Sequence, residues 1–317
     1  MKLAFIVDPL DHIKTYKDST FAMMEEAARR NHRLFVLYQE HVLCRDGIVH
    51  GIAAELRLTG QEGWYELGEG QQVPLSEFDA VLMRKDPPFD MEYVYSTYLL
   101  ELAERQGARI INRPRALRDN NEKFCVTRFS NFTVPTLVTR LENEIRAFLQ
   151  EQGDIVLKPL DGMGGASIFR LHGQDANISV VIETLTHYGR QTVMAQRYIP
   201  EIVKGDKRII VIDGVPAPFC LARIPKAGET RGNLAAGGRG VAQELSARDR
   251  EIAEAVGKVL APEGLLLIGL DVIGDYLTEI NVTSPTGMRE ISDQTGFNVA
   301  GMLVDAVEKS VAQHHPA

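Results

Sequence analysis

GLDVIGDYLTEINVTSPTG, residues 269–287, is the stretch from which the fold of this chain is read. Leu277, Ile280 and Val282 mark a strand, and strand side chains alternate between faces, so Glu279 and Asn281 share one face. Asp271 lies on an equally apolar strand just before them. If Gly274 to Tyr276 form a three-residue loop, Asp271 stands opposite Glu279 while Leu270, Val272, Ile280 and Val282 turn to the core; a two-residue turn would put the acids on opposite faces. Asp, Glu and Asn together supply the hard oxygens that Mg²⁺ accepts alongside phosphate oxygens. A solvated hairpin with scattered polar residues is the plain alternative, because D-x₇-E-x-N is a loose pattern.

The 317 residues are enough for about two domains with sizeable cores. A formal net charge of -8, with no segment that concentrates positive charge, argues against a nucleic-acid partner. Cys44, Cys125 and Cys220 are widely spaced and match neither a CxxC nor a Cys/His zinc pattern, so reduced thiols in a cytoplasmic protein are expected. MKLAFIVDPLDH reads as a first buried strand and not as a signal peptide. No apolar run approaches the roughly 18 residues of a membrane span. No internal repeat is visible, which argues against a solenoid.

Residues 3–7, 20–30 and 33–38 read as strand, helix and strand, pointing to a parallel, helix-covered sheet. Residues 42–75 read as a meander of short strands. The strand 80–83 ends at Arg84, and ligands collect beyond the carboxyl ends of such strands, so Arg84 is a candidate for holding a carboxylate-bearing substrate. A helix over 93–106, a strand over 109–112 and a short helix over 114–118 close a first domain near residue 121. A helix is expected over Lys123 to Ser130, then the end of another at 145–150.

The strand DIVLK, 154–158, runs into LDGMGGAS, whose glycines can turn backbone N–H groups toward an anion that Lys158 would neutralise. Taken alone, such a glycine-rich hairpin is more often a plain turn than a phosphate cradle. VMAQR, 193–197, followed by Tyr198 and Ile199, is an edge that could offer backbone groups to a purine. Arg208 and Arg223 fall on neighbouring strands of a hairpin turned at Asp213-Gly214. There they suit charge that develops on a transferred phosphoryl or carbonyl oxygen, or else form an outward ion pair. The polar segment between Arg223 and Val241, with Arg231, Arg239 and glycine hinges, reads as a lid or as a plain surface loop. A helix over 246–261 is capped by Ser246 with Asp249, and a last helix runs over 301–312.

Singly these signals are loose, but MRKDPPFD, NEK, LKPLDGMGGASIF, MAQRYIP, GDKR, CLARIP, GETRGNLAAGGRG and TEINVTSPTG occur in one order. That order resembles the ATP-grasp superfamily, and the wording of the segments is similar to the bacterial glutathione synthetase family over nearly the whole chain. The resemblance implies an α/β protein of ATP-grasp fold. Its N-terminal parallel-sheet domain would span 1–121, followed by two ATP-grasp subdomains, 122–199 and 200–317, the latter with a mobile loop over 224–240. It implies that Lys123 and Lys158 meet ATP phosphates, that Gly162, Gly164 and Gly165 form a flap, that Gln196, Arg197, Tyr198 and Ile199 hold adenine, and that Asp206 contacts ribose. Asp271, Glu279 and Asn281 match the Mg²⁺ ligands, with Mn²⁺ as the alternative ion. Arg208 and Arg223 match positions beside the transferred phosphoryl group, Arg231 the lid, and Arg84, Ser284 and Arg289 a substrate wall.

The activity implied is ATP-dependent ligation of γ-glutamylcysteine to glycine through an acyl phosphate, in a homo-tetramer. The rivals are a D-alanine-D-alanine type or peptide-glutamylating ligase and, from another class, a non-catalytic ATP-binding module of the synapsin kind.

Overall fold

The computed structural model describes every residue except 61–62, 163, 227–237 and 314–317. Apolar runs long enough to be buried on both faces form the centre of the first sheet. Its strands are β1 (Lys2–Val7), β2 (Arg33–Tyr38), β3 (Val42–Arg45), β4 (Ile48–Leu58), β5 (Tyr65–Leu67), β6 (Gln71–Pro74), β7 (Ala80–Met83) and β8 (Ile110–Ile111). β2, β1, β7 and β8 are parallel neighbours, and the meander β3–β6 extends this sheet in antiparallel fashion through β4. Between these strands come α1 (Ser19–Arg29), α2 (Met91–Arg105) and, after β8, α3 (Pro114–Asp119). The Asp18 carboxylate accepts the Phe21 N–H at 2.7 Å and starts α1, as its side chain should at an N-cap.

The middle of the chain forms a four-stranded antiparallel sheet of β9 (Thr136–Thr139), β10 (Asp154–Pro159), β11 (Phe169–His172) and β12 (Val193–Arg197), backed by α4 (Glu142–Gln152) and α5 (Ile178–Leu185). This lobe has a core of its own, including Ile145, Ile155, Leu157 and Val193. The other two sheets share cores: Leu3, Phe5 and Leu82 pack in one cluster with Ile210, Ile212 and Met288. The third sheet, antiparallel throughout, contains β13 (Asp206–Ile212), β14 (Val215–Ile224), β15 (Arg239–Glu244), β16 (Leu267–Ile273) and β17 (Tyr276–Asn281), with α6 (Ala247–Leu260), α7 (Met288–Thr295) and α8 (Val299–Ala312). Ser246 and Asp249 close the expected capping box on α6. Among the described residues no helix is long and apolar enough to cross a membrane.

Three features depart from expectation. Residues 124–132 form 3-10 turns broken at Phe129, where an α-helix was expected, because the Asn121 side-chain oxygen takes the N–H groups of Lys123 and Phe124 at 3.1 and 2.9 Å. β9, α5, β15 and α7 carried no sequence signal strong enough to be singled out. The third concerns the 269–287 hairpin. Ile273 pairs with Tyr276, so the turn has two residues, the case expected to separate the acids. Asp271 nevertheless pairs with Glu279, because the register shifts by one and Thr278 is the extra residue of a bulge.

Asn112, just after β8, joins the first sheet to the third. Its amide donates to Leu267 O at 2.7 Å and Val282 O at 2.8 Å, and its oxygen accepts the Leu267 N–H at 2.9 Å, all in a buried setting. Asn112→Ala strands three backbone groups and is expected to cost about 3 kcal/mol of unfolding free energy, read as a lower urea midpoint at unchanged slope.

Candidate active site

A cavity of about 540 Å³ opens between the four-stranded lobe and the third sheet, with the segment between β1 and α1 along one side. Its floor is Asp206 and Arg208 on β13, Arg223 on β14, Asp271 on β16, and Glu279 and Asn281 on β17. Across from them are Lys158 at the end of β10, the loop glycines Gly162, Gly164 and Gly165, and the β12 exit Gln196, Arg197, Tyr198 and Ile199. Lys123 and Ser284 also line it.

Sheet register sets the electrostatics of the floor. Arg208 pairs with Asp271 across β13–β16, and Asp206 with Arg223 across β13–β14, so each guanidinium stands beside a carboxylate. Arg208 grips Asp271 with Nε at 2.6 Å and Nη2 at 3.2 Å, and Arg223 adds Nη2 at 2.9 Å while also bonding Asp206. Burial raises the pKa of Asp271, but the two guanidiniums more than offset it and hold the carboxyl below the usual carboxylate range. Burial pushes Asp206 up to about 6 despite Arg223, and its Oδ1 is buried without a hydrogen-bond partner.

The bulge contributes directly. It turns the Thr278 carbonyl toward Lys158, whose Nζ donates to it at 3.2 Å, while Thr278 Oγ1 donates to Asp271 O at 3.0 Å. Burial lowers the Lys158 pKa to about 8, with Glu279 opposing. Lys123 lies 3.1 Å from Glu279 and also donates to Gly162 O. Glu122 accepts from the Val282 and Thr283 N–H groups and the Thr283 hydroxyl at 2.8–3.1 Å, fastening the free edge of β17.

At the β12 exit the Tyr198 N–H is taken by Asp154 O at 2.9 Å, and the Arg170 guanidinium stacks 3.7 Å from the Tyr198 ring centroid. Gly164 and Gly165 have φ of +64° and +77°, backbone that lets their loop curl over the cavity.

The substrate-wall candidates divide. Ser284 lines the cavity; Arg84 does not, being buried behind it with Nη2 on Pro285 O at 3.0 Å and Nε on Thr20 Oγ1 at 3.1 Å. Arg289 turns away, pairing with Glu25 and lying 5.7 Å from the Phe21 ring. Arg231 and most of the 224–240 segment lie outside the described residues. Sequence reasoning missed Lys14, Lys17, Asp86, Glu122 and Glu290, which also line the cavity. For Lys14 and Lys17 a signal existed: both follow the carboxyl end of β1.

Asp271, Glu279 and Asn281 fit a divalent cation. Asp271 faces Glu279 and Asn281 faces Gly269 on the next rung of one strand pair, and the Asn281 amide donates to Gly269 O at 3.2 Å, which leaves its oxygen available. Among the described residues no three His, Cys, Asp or Glu side chains converge, so the protein supplies a partial oxygen shell that phosphates and water would complete.

A sequence model described as prokaryotic glutathione synthetase, N-terminal domain, matches residues 1–118, and one described as prokaryotic glutathione synthetase, ATP-grasp domain, matches residues 122–296. The chain is 63% identical to the glutathione synthetase of Nitrosomonas europaea over 99% of both proteins. It is 55% identical to that of Shewanella oneidensis over 99% of this chain and 100% of the other. Among solved structures, the D-cycloserine synthetase DcsG superposes with a TM-score of 0.69 at 16% identity, covering 98% of this chain and 99% of the other. An ATP-grasp ligase PsnB, complexed with a precursor variant, Mg and ADP, superposes with a TM-score of 0.64 at 20% identity over 98% of each chain. These two show the ATP-grasp fold.

Asp271→Ala leaves two buried guanidiniums short of a counter-charge and is expected to destabilise the protein by about 3–5 kcal/mol, measured as a fall in the denaturation midpoint.

Proposed function

This chain belongs to the prokaryotic glutathione synthetase family and is an ATP-dependent ligase, and we propose how its cleft joins γ-glutamylcysteine to glycine. The observation that carries the reading is the facing of Asp271 and Glu279, beside Asn281, across a cavity that Lys123 and Lys158 share. Two buried lysines suit the negative charge of a nucleotide's phosphates, and curled glycine backbone suits close approach to them. The β12 exit, Gln196 to Ile199, takes the adenine edge, and the unpartnered Asp206 oxygen accepts from ribose. Asp271, Glu279 and Asn281 would hold Mg²⁺, which when bound supplies charge neutralisation at the phosphates. Mn²⁺ in its place belongs to the same proposal.

The cysteinyl carboxylate is a poor electrophile at neutral pH. Its oxygen attacks the γ-phosphorus of ATP, ADP leaves, and an acyl phosphate forms. The glycine amine then attacks the acyl carbon, the acyl C–O bond breaks, phosphate departs with the former carboxylate oxygen, and the nitrogen gives up a proton to leave the amide. Arg208 and Arg223, fixed on β13 and β14, stabilise charge on the transferring oxygens without moving, which is where preorganised donors gain most. We divide the lobes at residues 121 and 199 and carry a homo-tetramer and a cytoplasmic location from the family resemblance; sedimentation tests the tetramer.

Phosphate release should require ATP, γ-glutamylcysteine and glycine together; release that persists with either peptide substrate omitted contradicts the reading. Glu279→Gln is expected to lower kcat by about two orders of magnitude or more, as loss of one preorganised charge does, and an unchanged kcat removes Glu279 from the site. Lys158 is charged below its pKa of about 8. ATP affinity of the free enzyme should therefore be flat between about pH 7 and 8 and fall by up to about tenfold per unit above that, a limb that Lys158→Arg abolishes in calorimetric titrations.

A further inference from the structure

Among the described residues β17 is the outermost strand of the third sheet, and Asn281 stands where its pairing with β16 ends, on the rung with Gly269. An edge strand leaves alternate backbone N–H groups without a ladder partner, and at such an end the chain is free to splay. Here one residue that belongs to no strand takes that outer edge. Glu122 accepts the Ile280 N–H, which lies between Glu279 and Asn281, on its main-chain oxygen at 2.8 Å. Its side-chain Oε1 accepts the N–H groups of Val282 and Thr283 at 2.9 and 3.1 Å and the Thr283 hydroxyl at 2.8 Å. A single glutamate thus stands in for a neighbouring strand on both sides of Asn281.

The residues flanking Glu122 are fixed by other means. Asn121 Oδ1 accepts the N–H groups of Lys123 and Phe124 at 3.1 and 2.9 Å, and Asn121 Nδ2 donates to Leu160 O at 3.2 Å, at the foot of the glycine loop. Lys123 donates to Gly162 O and lies 3.1 Å from Glu279. None of these contacts uses the Glu122 carboxylate. The attachment of β17 to the core does not use it either: Ile280 and Val282 are buried, and Asn112 donates to Val282 O at 2.8 Å. Removing the carboxylate therefore leaves Lys123 and the fold anchored while it frees the backbone N–H groups just beyond Asn281. The Asn281 side chain then keeps its amide bond to Gly269 O at 3.2 Å and loses the backbone that aims it.

We propose that Glu122 is a positioning residue for the metal centre: by holding the outer edge of β17 it aims the Asn281 oxygen, beside Glu279, at the divalent ion. The proposal rests on the reading that Glu279 and Asn281 hold that ion. Glu122 acts through the strand and is not a ligand, so the ion requires of it an acceptor oxygen in place and no negative charge.

The test is Mn²⁺ binding to the enzyme–ADP complex, read by water-proton relaxation enhancement with enzyme in excess over ADP, beside metal-free ADP binding read by calorimetry. Glu122→Ala should weaken Mn²⁺ binding by about 10- to 100-fold, the usual effect of losing a group that orients a metal ligand. Its metal-free ADP affinity should match that of the wild type. Glu122→Gln, which keeps an acceptor oxygen at the same reach, should restore most of the Mn²⁺ affinity. If Glu122→Ala is insoluble, Glu122→Asp, one methylene too short, takes its place with the same expectation. Wild-type Mn²⁺ affinity in the shortened variant overturns the proposal, as does an equal loss of metal-free ADP affinity, which would place the damage at the lysines. Glu122→Gln as weak as Glu122→Ala overturns it too, because the carboxylate would then be a ligand itself. Asn281→Ala separates these results from failure of the reading beneath them: Mn²⁺ held as tightly as by the wild type refutes the metal assignment itself.

Discussion

Two carboxylates that face each other across a strand pair repel, and cations beside Asp271 and Glu279 offset that repulsion. Arg208 and Arg223 take the oxygens of Asp271, and Lys123 approaches Glu279. The arginines come from the same sheet as Asp271, in cross-strand register, so backbone pairing carries the electrostatics. The ladders fix where each arginine starts and the ion pairs to Asp271 and Asp206 hold its guanidinium, so a site built this way needs little reorganisation when charge develops within it.

The lysines come from outside that sheet, and this separates binding from scaffolding. The four-stranded lobe that carries Lys158 packs around its own core, whereas the first and third sheets share theirs. Besides an apolar contact through Met194 of β12, the lobe meets the floor through polar links, Lys158 to Thr278 O and Lys123 to both Gly162 O and Glu279. Contacts of that kind can be exchanged for phosphate oxygens at modest cost, while the apolar seam between the first and third sheets keeps the remaining walls in place. A ligase that must admit ATP and then exclude water from an acyl phosphate needs one lobe free to adjust over a fixed floor.

Much of this was legible in the chain and some was not, for identifiable reasons. Strand parity put Glu279 and Asn281 on one face correctly, and the caps at Asp18 and Ser246 followed from local side-chain chemistry. The opposition of Asp271 to Glu279 came from a bulge, not from the three-residue loop that would have produced it. Nothing within the hairpin sequence announces the extra residue; it is held by Thr278 Oγ1 on Asp271 O and by Lys158, a partner 120 positions away. Arg84 sits at the strand end foreseen for it, but which way a long side chain turns depends on partners such as Thr20 and Pro285 that periodicity does not reveal. Arg289 likewise finds Glu25 on α1. Lys14 and Lys17 belong to no motif, and their one signal was their place after the carboxyl end of β1; the folded chain brings them to the cleft with Glu290.

The central claim is that the strand pair β16–β17 grips a divalent ion against the nucleotide's terminal phosphates. Crystals grown with Mn²⁺ and a non-hydrolysable ATP analogue, measured for anomalous scattering, test it most directly. The account predicts a peak about 2.0–2.3 Å from side-chain oxygens of Asp271, Glu279 and Asn281, with Lys123 and Lys158 on the phosphates. A peak elsewhere, or phosphates bound away from those lysines, contradicts it.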